Sequence, residues 1–172
     1  LQYLLAGKTI VGGIAGGWLA VEGAKRVLGI ESRTGDLFAA PLAVAIAIGR
    51  VGCFLTGLAD RTYGVATALP WGIDFGDGIA RHPTQLYEAL FLFGLAGFLA
   101  VWSRRAPETG DLFRGFVFSY FLFRLAVDFL KPASCRGLSL TAIQWVSVLA
   151  LAALLPDMLR WFRSPKPAPG GV

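Results

Sequence analysis

Five windows of 18 to 22 residues in this chain are mostly apolar: Tyr3–Val21, Leu37–Leu58, Gln85–Trp102, Leu112–Leu130 and Leu138–Leu155. A helix needs roughly 20 such residues to cross a bilayer. None of the five alternates with a period of two, which argues against a membrane barrel. They are apolar nearly all round, whereas helices in a soluble bundle keep a polar outer face. Composition agrees. Only 16% of the 172 residues are charged and 55% are hydrophobic, with mean hydropathy +0.62; a soluble domain carries about 25% charged residues. A disordered chain, a surface-charge nucleic-acid binder and a water-soluble globule are excluded. The expected fold is all-α: a polytopic membrane helix bundle of about five transmembrane helices with one longer external loop.

The loop charges set the orientation. Lys25, Arg26, Arg33, Arg104, Arg105, Arg114, Arg160, Arg163 and Lys166 fall on one side; Arg61, Arg81, Lys131 and Arg136 fall on the other. The side richer in Lys and Arg is cytoplasmic. The loop from Ala59 to Thr84 and the short one from Lys131 to Gly137 then face outward. Residues 1–163 are expected to form one membrane domain, and 164–172, rich in Pro and Gly, a disordered cytoplasmic tail. No cleavable signal pattern is present. The chain opens at Leu1 with its first span almost at once, and an upstream segment is expected.

Lys8, Arg50, Glu88, Arg124 and Asp128 lie in or at the ends of the spans. A charge at mid-bilayer costs roughly 3 kcal/mol on insertion scales, so these residues demand partners. One reading is purely structural: Arg124 pairs with Asp128 at i, i+4, and Glu88 with Arg50 across helices. The other starts from the surplus of three cations over two anions. Arg50 and Arg124, on different helices, then clamp a phosphate, which the guanidinium fork suits. The Gly12/Gly16 and Gly13/Gly17 pairs read as close helix packing, or as a thin wall beside a lipid cavity.

The long loop holds Asp60, Arg61, Trp71, Asp74, Asp77, Arg81 and the only histidine, His82, with Gly72, Gly76 and Gly78 as turns. Pro83 suits the first turn of the following helix. There is no second His and no HExxH or CxxC, so no metal site is expected, and there is no phosphate-binding Walker loop or GxSxG elbow. Cys53 and Cys135 both fall near the external face. They read as two independent thiols, or as a disulfide if that side is oxidising.

Several of these segments resemble one family. Gly49-Arg50-Val51-Gly52-Cys53-Phe54-Leu55-Thr56-Gly57 resembles the GRxGNFxNGE signature of prolipoprotein diacylglyceryl transferases, and Pro70-Trp71-Gly72 their PWG element. The run from Arg81 to Glu88 resembles RHPSQLYE. Tyr120 to Asp128 resembles the YxxxRxxxEF helix. Gly137-Leu138-Ser139 with Gln144-Trp145 resembles GLTxGQW. The matches stand in family order from about Lys8 to Trp145.

The resemblance implies an enzyme of the bacterial inner membrane, multi-pass, with its C-terminus cytoplasmic and its site facing the outer leaflet. It would move a diacylglyceryl group from phosphatidylglycerol to the lipobox cysteine thiol of a prolipoprotein, releasing glycerol phosphate, with no cofactor. Arg50 and Arg124 are then the catalytic residues. Tyr120, Gln85, Glu88, Asp128, Gly64, Cys53, Thr56 and His82 are substrate-binding. Tyr120 meets the head group, Asp128 orients Arg124, Gln85 and Glu88 hold Arg50 or glycerol hydroxyls, and Gly64 closes the signature loop. The sequence departs from the pattern at Val11, where the family carries a proton-transferring His. It departs also at Cys53 and Thr56, in place of two asparagines, and at Leu58, in place of a glutamate for which Asp60 is a substitute. His82 is an alternative proton carrier. The competing readings are transfer of a lipid or glycerophosphate group to another acceptor, and a non-catalytic membrane protein that binds anionic lipid.

Overall fold

A computed structural model describes residues 10–30, 34–105, 108–132 and 141–163. Lys8, Cys135, the Gly137–Ser139 segment and the tail from 164 lie outside them. The chain divides into two compact units at Arg33. The first contains α1 (Ile10–Leu28), with Val11 in its first turn. Lys25 and Arg26 occupy its last turn, where cations complement the helix dipole. Gly29, at φ 67°, ends it. The Ile30 amide then reaches back to the Lys25 carbonyl at 2.9 Å, closing a Schellman motif.

The second unit is four helices: α2 (Gly35–Thr56), α3 (Thr84–Ser103), α4 (Asp111–Asp128) and α5 (Ala142–Arg163). The predicted bounds of α2, α3 and α4 hold to within two residues, apart from a 3₁₀ turn, Gly57–Asp60, that extends α2. The last helix continues through Pro156 to Arg163, past the predicted end at Leu155. Among the described residues, Gly35–Asp60 and Thr84–Ser103 are long and apolar enough to cross a membrane. α4 carries Asp111, Arg114, Arg124 and Asp128, so by composition it stands apart from those two.

α2 packs along α3 and α4, α3 along α4, and α4 along α5. Each of the first three buries one stripe. On α2 the stripe is Ala39, Ala43, Ala47 and Arg50. On α3 it includes Gln85, Glu88, Leu92, Leu95 and Leu99, and on α4 Leu112, Phe116, Tyr120, Arg124 and Asp128. These are i, i+3 and i+4 spacings, the core face of a helix. Alanines on α2 let the helices approach closely. Outside the stripes, large apolar side chains stay exposed: Leu37 is 76%, Leu55 77% and Leu90 72% exposed. Water does not favour such a surface; lipid does.

The C-termini of α2 and α4 and the N-termini of α3 and α5 share the end that carries the long loop. That loop is more ordered than a helical reading predicts. It forms an antiparallel ribbon, β1 (Ile73–Asp74) with β2 (Ala80–Arg81), plus a bridge from Ala66 to Arg81. The Asp74 carboxylate accepts from the amides of Gly76, Asp77 and Gly78 at 2.8 to 3.0 Å. Gly76 and Gly78 take positive φ at the predicted turns.

At the opposite end, Asp36 of α2 caps α4. Its carboxylate accepts from the Gly110 amide at 2.5 Å and the Phe113 amide at 2.9 Å. Two orphan N–H groups of α4 are satisfied from a neighbouring helix.

Candidate functional site

The three buried stripes bring their charged members to one point near the loop end. The Glu88 carboxylate is the hub. Its Oε2 lies 2.8 Å from Arg50 Nε and accepts from Arg124 Nη1 at 2.9 Å. Its Oε1 accepts from the Tyr120 hydroxyl at 2.8 Å. Glu88 is 1% exposed, Arg50 6%, Arg124 4% and Tyr120 0%. Ion pairs this dry are much less screened than surface ones. Removing Glu88 leaves two uncompensated buried charges, at a cost of about 3–5 kcal/mol.

Glu88 does not use up the arginines. Each guanidinium has five N–H donors. Among the described residues, the buried Arg124 Nε has no hydrogen-bond partner, and Arg50 Nε, also without one, meets Glu88 only through the 2.8 Å ion pair. One turn from Glu88 along α3, Gln85 is 1% exposed, and both its amide oxygen and its amide nitrogen lack partners. Buried polar groups are normally paired, and each orphan costs about 1–3 kcal/mol. Four such atoms on three adjoining helices favour a polar ligand with oxygens. Two guanidiniums against one carboxylate leave a net positive charge, which favours an anion there.

The predicted pairing of Glu88 with Arg50 across helices is present. Arg124 pairs with Glu88, not with Asp128 at i, i+4. Asp128 Oδ2 accepts instead from the Thr141 hydroxyl at 2.5 Å. Thr141 belongs to a capping box that opens α5: its Oγ1 accepts from the Gln144 amide at 3.2 Å, and Gln144 Oε1 accepts from the Thr141 amide at 2.9 Å. Asp128 therefore ties the end of α4 to the start of α5 and does not orient Arg124. The Thr-x-x-Gln spacing of this box is readable in the sequence.

Cys53 sits one turn beyond Arg50, half-buried, with Arg50 Nη1 3.9 Å from its sulfur. Thr56 lies apart from the cluster: it is exposed, and its hydroxyl donates to the Gly52 carbonyl of its own helix at 2.9 Å. Asp60 accepts from the Thr62 hydroxyl. His82 also stands off the cluster. Its Nδ1 lies 3.1 Å from the Tyr87 hydroxyl, which accepts from Trp71 Nε1 at 3.0 Å, so the three rings brace the loop against α3.

Gly64 is at the centre of that brace. Its amide donates to the His82 carbonyl at 2.8 Å, and the next amide, of Val65, donates to the Leu130 carbonyl at 2.8 Å. A Cβ on Gly64 would stand 2.6 Å from His82 Cβ and 2.8 Å from the Leu130 oxygen. Thr84 Oγ1 donates to the Thr62 carbonyl at 2.6 Å beside it. The loop, the start of α3 and the end of α4 are knotted here over the charged cluster.

Comparison with known proteins gives one family. The model of the prolipoprotein diacylglyceryl transferase family matches residues 2–159. Among relatives named phosphatidylglycerol–prolipoprotein diacylglyceryl transferase, that of Clostridium tetani is 37% identical over 123 residues, which is 67% of this chain and 48% of its own. That of Solidesulfovibrio magneticus is 40% identical, over 68% of this chain and 45% of its own. That of Cupriavidus necator is 34% identical, over 92% and 62%. The chain spans about half the length of the first of these relatives. No solved structure matches it.

Proposed function

The chain belongs to the prolipoprotein diacylglyceryl transferase family, and from that premise we propose that it transfers a diacylglyceryl group from phosphatidylglycerol to the lipobox cysteine of a prolipoprotein. The observation that carries this reading is the set of buried polar atoms beside Glu88 that lack a hydrogen-bond partner among the described residues: Arg124 Nε and both amide atoms of Gln85, with Arg50 Nε held only by its ion pair to Glu88. In the reaction a thiol sulfur attacks the glyceryl carbon, a C–S bond forms, and the C–O bond to phosphate breaks with its electron pair on the phosphate. Charge builds on the leaving glycerol phosphate. Fixed donors in a water-poor site stabilise that charge without reorganising. Arg50 and Arg124 are those donors, held apart and oriented by Glu88, which Tyr120 braces from its other oxygen. Gln85 meets the glycerol hydroxyls, and Gly64 with Cys53 shapes the mouth of the site.

The same reading takes residues 1–163 as one membrane domain of five spans in the bacterial inner membrane. The cluster then faces the outer leaflet, and the tail from 164 is cytoplasmic. The loop charges and the single end at which the cluster lies support that placement. Val11, where the family pattern has a histidine, favours a second reading: a cradle that binds anionic lipid without transferring it.

The test is complementation of a bacterium depleted of its own diacylglyceryl transferase, with labelled phosphatidylglycerol to follow the product. The native chain is expected to label a lipoprotein. Arg50→Ala and Arg124→Ala are expected to insert normally and lose at least about 10²-fold in transfer. Phosphatidylglycerol that co-purifies with a chain unable to rescue growth would support the binding-only reading instead.

A further inference from the structure

Lys131 enters the sequence as one loop cation among four, and the reaction above gives it nothing to do. Its place in the fold does. Tyr120, Arg124 and Asp128 recur every four residues along the buried stripe of α4. Beyond Asp128 the chain keeps turning: the amides of Phe129, Leu130 and Lys131 donate to the carbonyls of Ala126, Val127 and Asp128. Bonds of that i to i−3 kind make three residues per turn, so position 131 eclipses position 128. Lys131 therefore extends the stripe one step outward from the arginines. The turn is pinned there by the Val65 amide on the Leu130 carbonyl. The Lys131 side chain is half-buried. The charges of Arg124 and Asp128 on α4, Glu88 on α3 and Arg50 on α2 lie close enough to act on it.

A thiol that attacks the lipid must lose its proton, and the reaction as drawn so far has no acceptor. Val11 has no acid–base chemistry, and His82 is engaged with Tyr87 in the loop brace. Resting on the transfer reading above, we propose that Lys131 is the proton acceptor for the incoming thiol, seated at the mouth of the Arg50–Glu88–Arg124 cluster. Its neutral Nζ takes the S–H proton. The sulfur pair forms the C–S bond as the C–O bond to phosphate breaks, and the phosphate leaves on the two arginines. The Lys131 ammonium then releases its proton to water as glycerol phosphate departs, which restores the amine.

The surroundings make an amine competent for this. Burial, and then the Arg124 charge, push the Lys131 ammonium down from its ordinary value to about 8. That is close to a free thiol's value of about 8.5, which suits a general base working near neutral pH. The sign is definite. The free amine is the working form, so transfer rises as pH increases through about 8 and levels off above it.

The experiment uses the full chain in lipid nanodiscs, labelled phosphatidylglycerol and a lipobox peptide, across the neutral and alkaline range. Lys131→Met and Lys131→Arg are both expected to lose about 10²–10⁴-fold in transfer while still binding phosphatidylglycerol. Lys131→Ala is expected to regain part of its rate when a small primary amine is added. Full activity in Lys131→Arg would overturn the proposal, because a guanidinium keeps the charge and cannot accept the proton. Failure of all three variants to bind lipid would also overturn it, placing Lys131 in the phosphate cradle. A native chain that transfers nothing would overturn the transfer reading itself, whereas an active native chain with an active Lys131→Arg variant sinks only the role of Lys131.

Discussion

Arg50 and Arg124 on Glu88, and Arg81 on Asp77, are built from the same chemical groups. The first set sits on three helices at an exposure of 6% or less. The second closes a hairpin in the long loop, with two parallel bonds of 2.6 and 2.7 Å and the Tyr63 ring 4.9 Å from the Arg81 guanidinium carbon. By geometry alone the hairpin pair is the better one, being bidentate. By consequence the order reverses. Water screens the hairpin pair and readily replaces either partner. No water replaces Glu88, and its loss leaves two guanidiniums facing each other. Where a pair sits, more than how well it is made, sets what depends on it.

The comparison is broken most sharply at its hub. Glu88→Gln keeps the shape of the side chain and removes the negative charge that both arginines share. The expected cost is about 3–5 kcal/mol, read as a lowered unfolding midpoint of the detergent-solubilised chain. Phosphatidylglycerol should recover part of that loss, since its phosphate supplies the missing negative charge, while a zwitterionic lipid should not. Equal rescue by both lipids would mean that the cluster is a packing device with no preference for anions.

The next largest effect lies in the knot that connects the two regions. Gly64→Ala pushes a Cβ to 2.6 Å from His82 Cβ and 2.8 Å from the Leu130 oxygen. The oxygen belongs to backbone already bonded to Val65, so it cannot swing aside as a flexible side chain would. Overpacking of this kind costs about 1–3 kcal/mol. The loop should also lose its brace on α3, seen as faster amide exchange at Val65 and His82. Unchanged exchange would show that the loop holds its place without the glycine.

The charged hub was legible in the sequence because a bilayer-length apolar run makes every charge conspicuous. Arg50, Glu88 and Arg124 stand out for that reason, and helical spacing already puts each on its helix's buried face. The bounds of α2, α3 and α4 were legible for the same reason, since loop charges and glycines flank the runs. The partners were harder. Arg124 has two carboxylates within its own reach, one at i+4 and one on another helix. Only the packing of α3 on α4 decides for Glu88. Asp128 looked like an orienting group because its partner, Thr141, arrives from a segment thirteen residues on. Thr56 carries a hydroxyl in a motif position, yet the helix carbonyl at Gly52 takes it. Lys131 was hidden by being one residue past the apolar run, where the sequence gives no hint that the helical path continues.

The smallest expected effect sharpens the comparison from its other side. Asp77→Asn removes the hairpin ion pair and leaves the Asp74 turn and the β1–β2 bonds in place. The hydrogen bonds from Arg81 hold the Asp77 carboxyl below its ordinary value in the folded chain. A carboxyl lowered in this way stabilises the fold above its unfolded value, about 3.9. That contribution disappears as pH falls through the lower folded value. At neutral pH the native chain therefore holds the full contribution, and the substitution removes it. Because the pair is solvent-exposed, the global unfolding midpoint should hardly move, and faster amide exchange at Gly78 and Ile79 should be the visible change. In strong acid, where Asp77 is already protonated, the native and substituted hairpins should exchange alike. A drop in global stability as large as that of Glu88→Gln would mean that the loop, and not the helix interior, carries the electrostatic weight of the molecule.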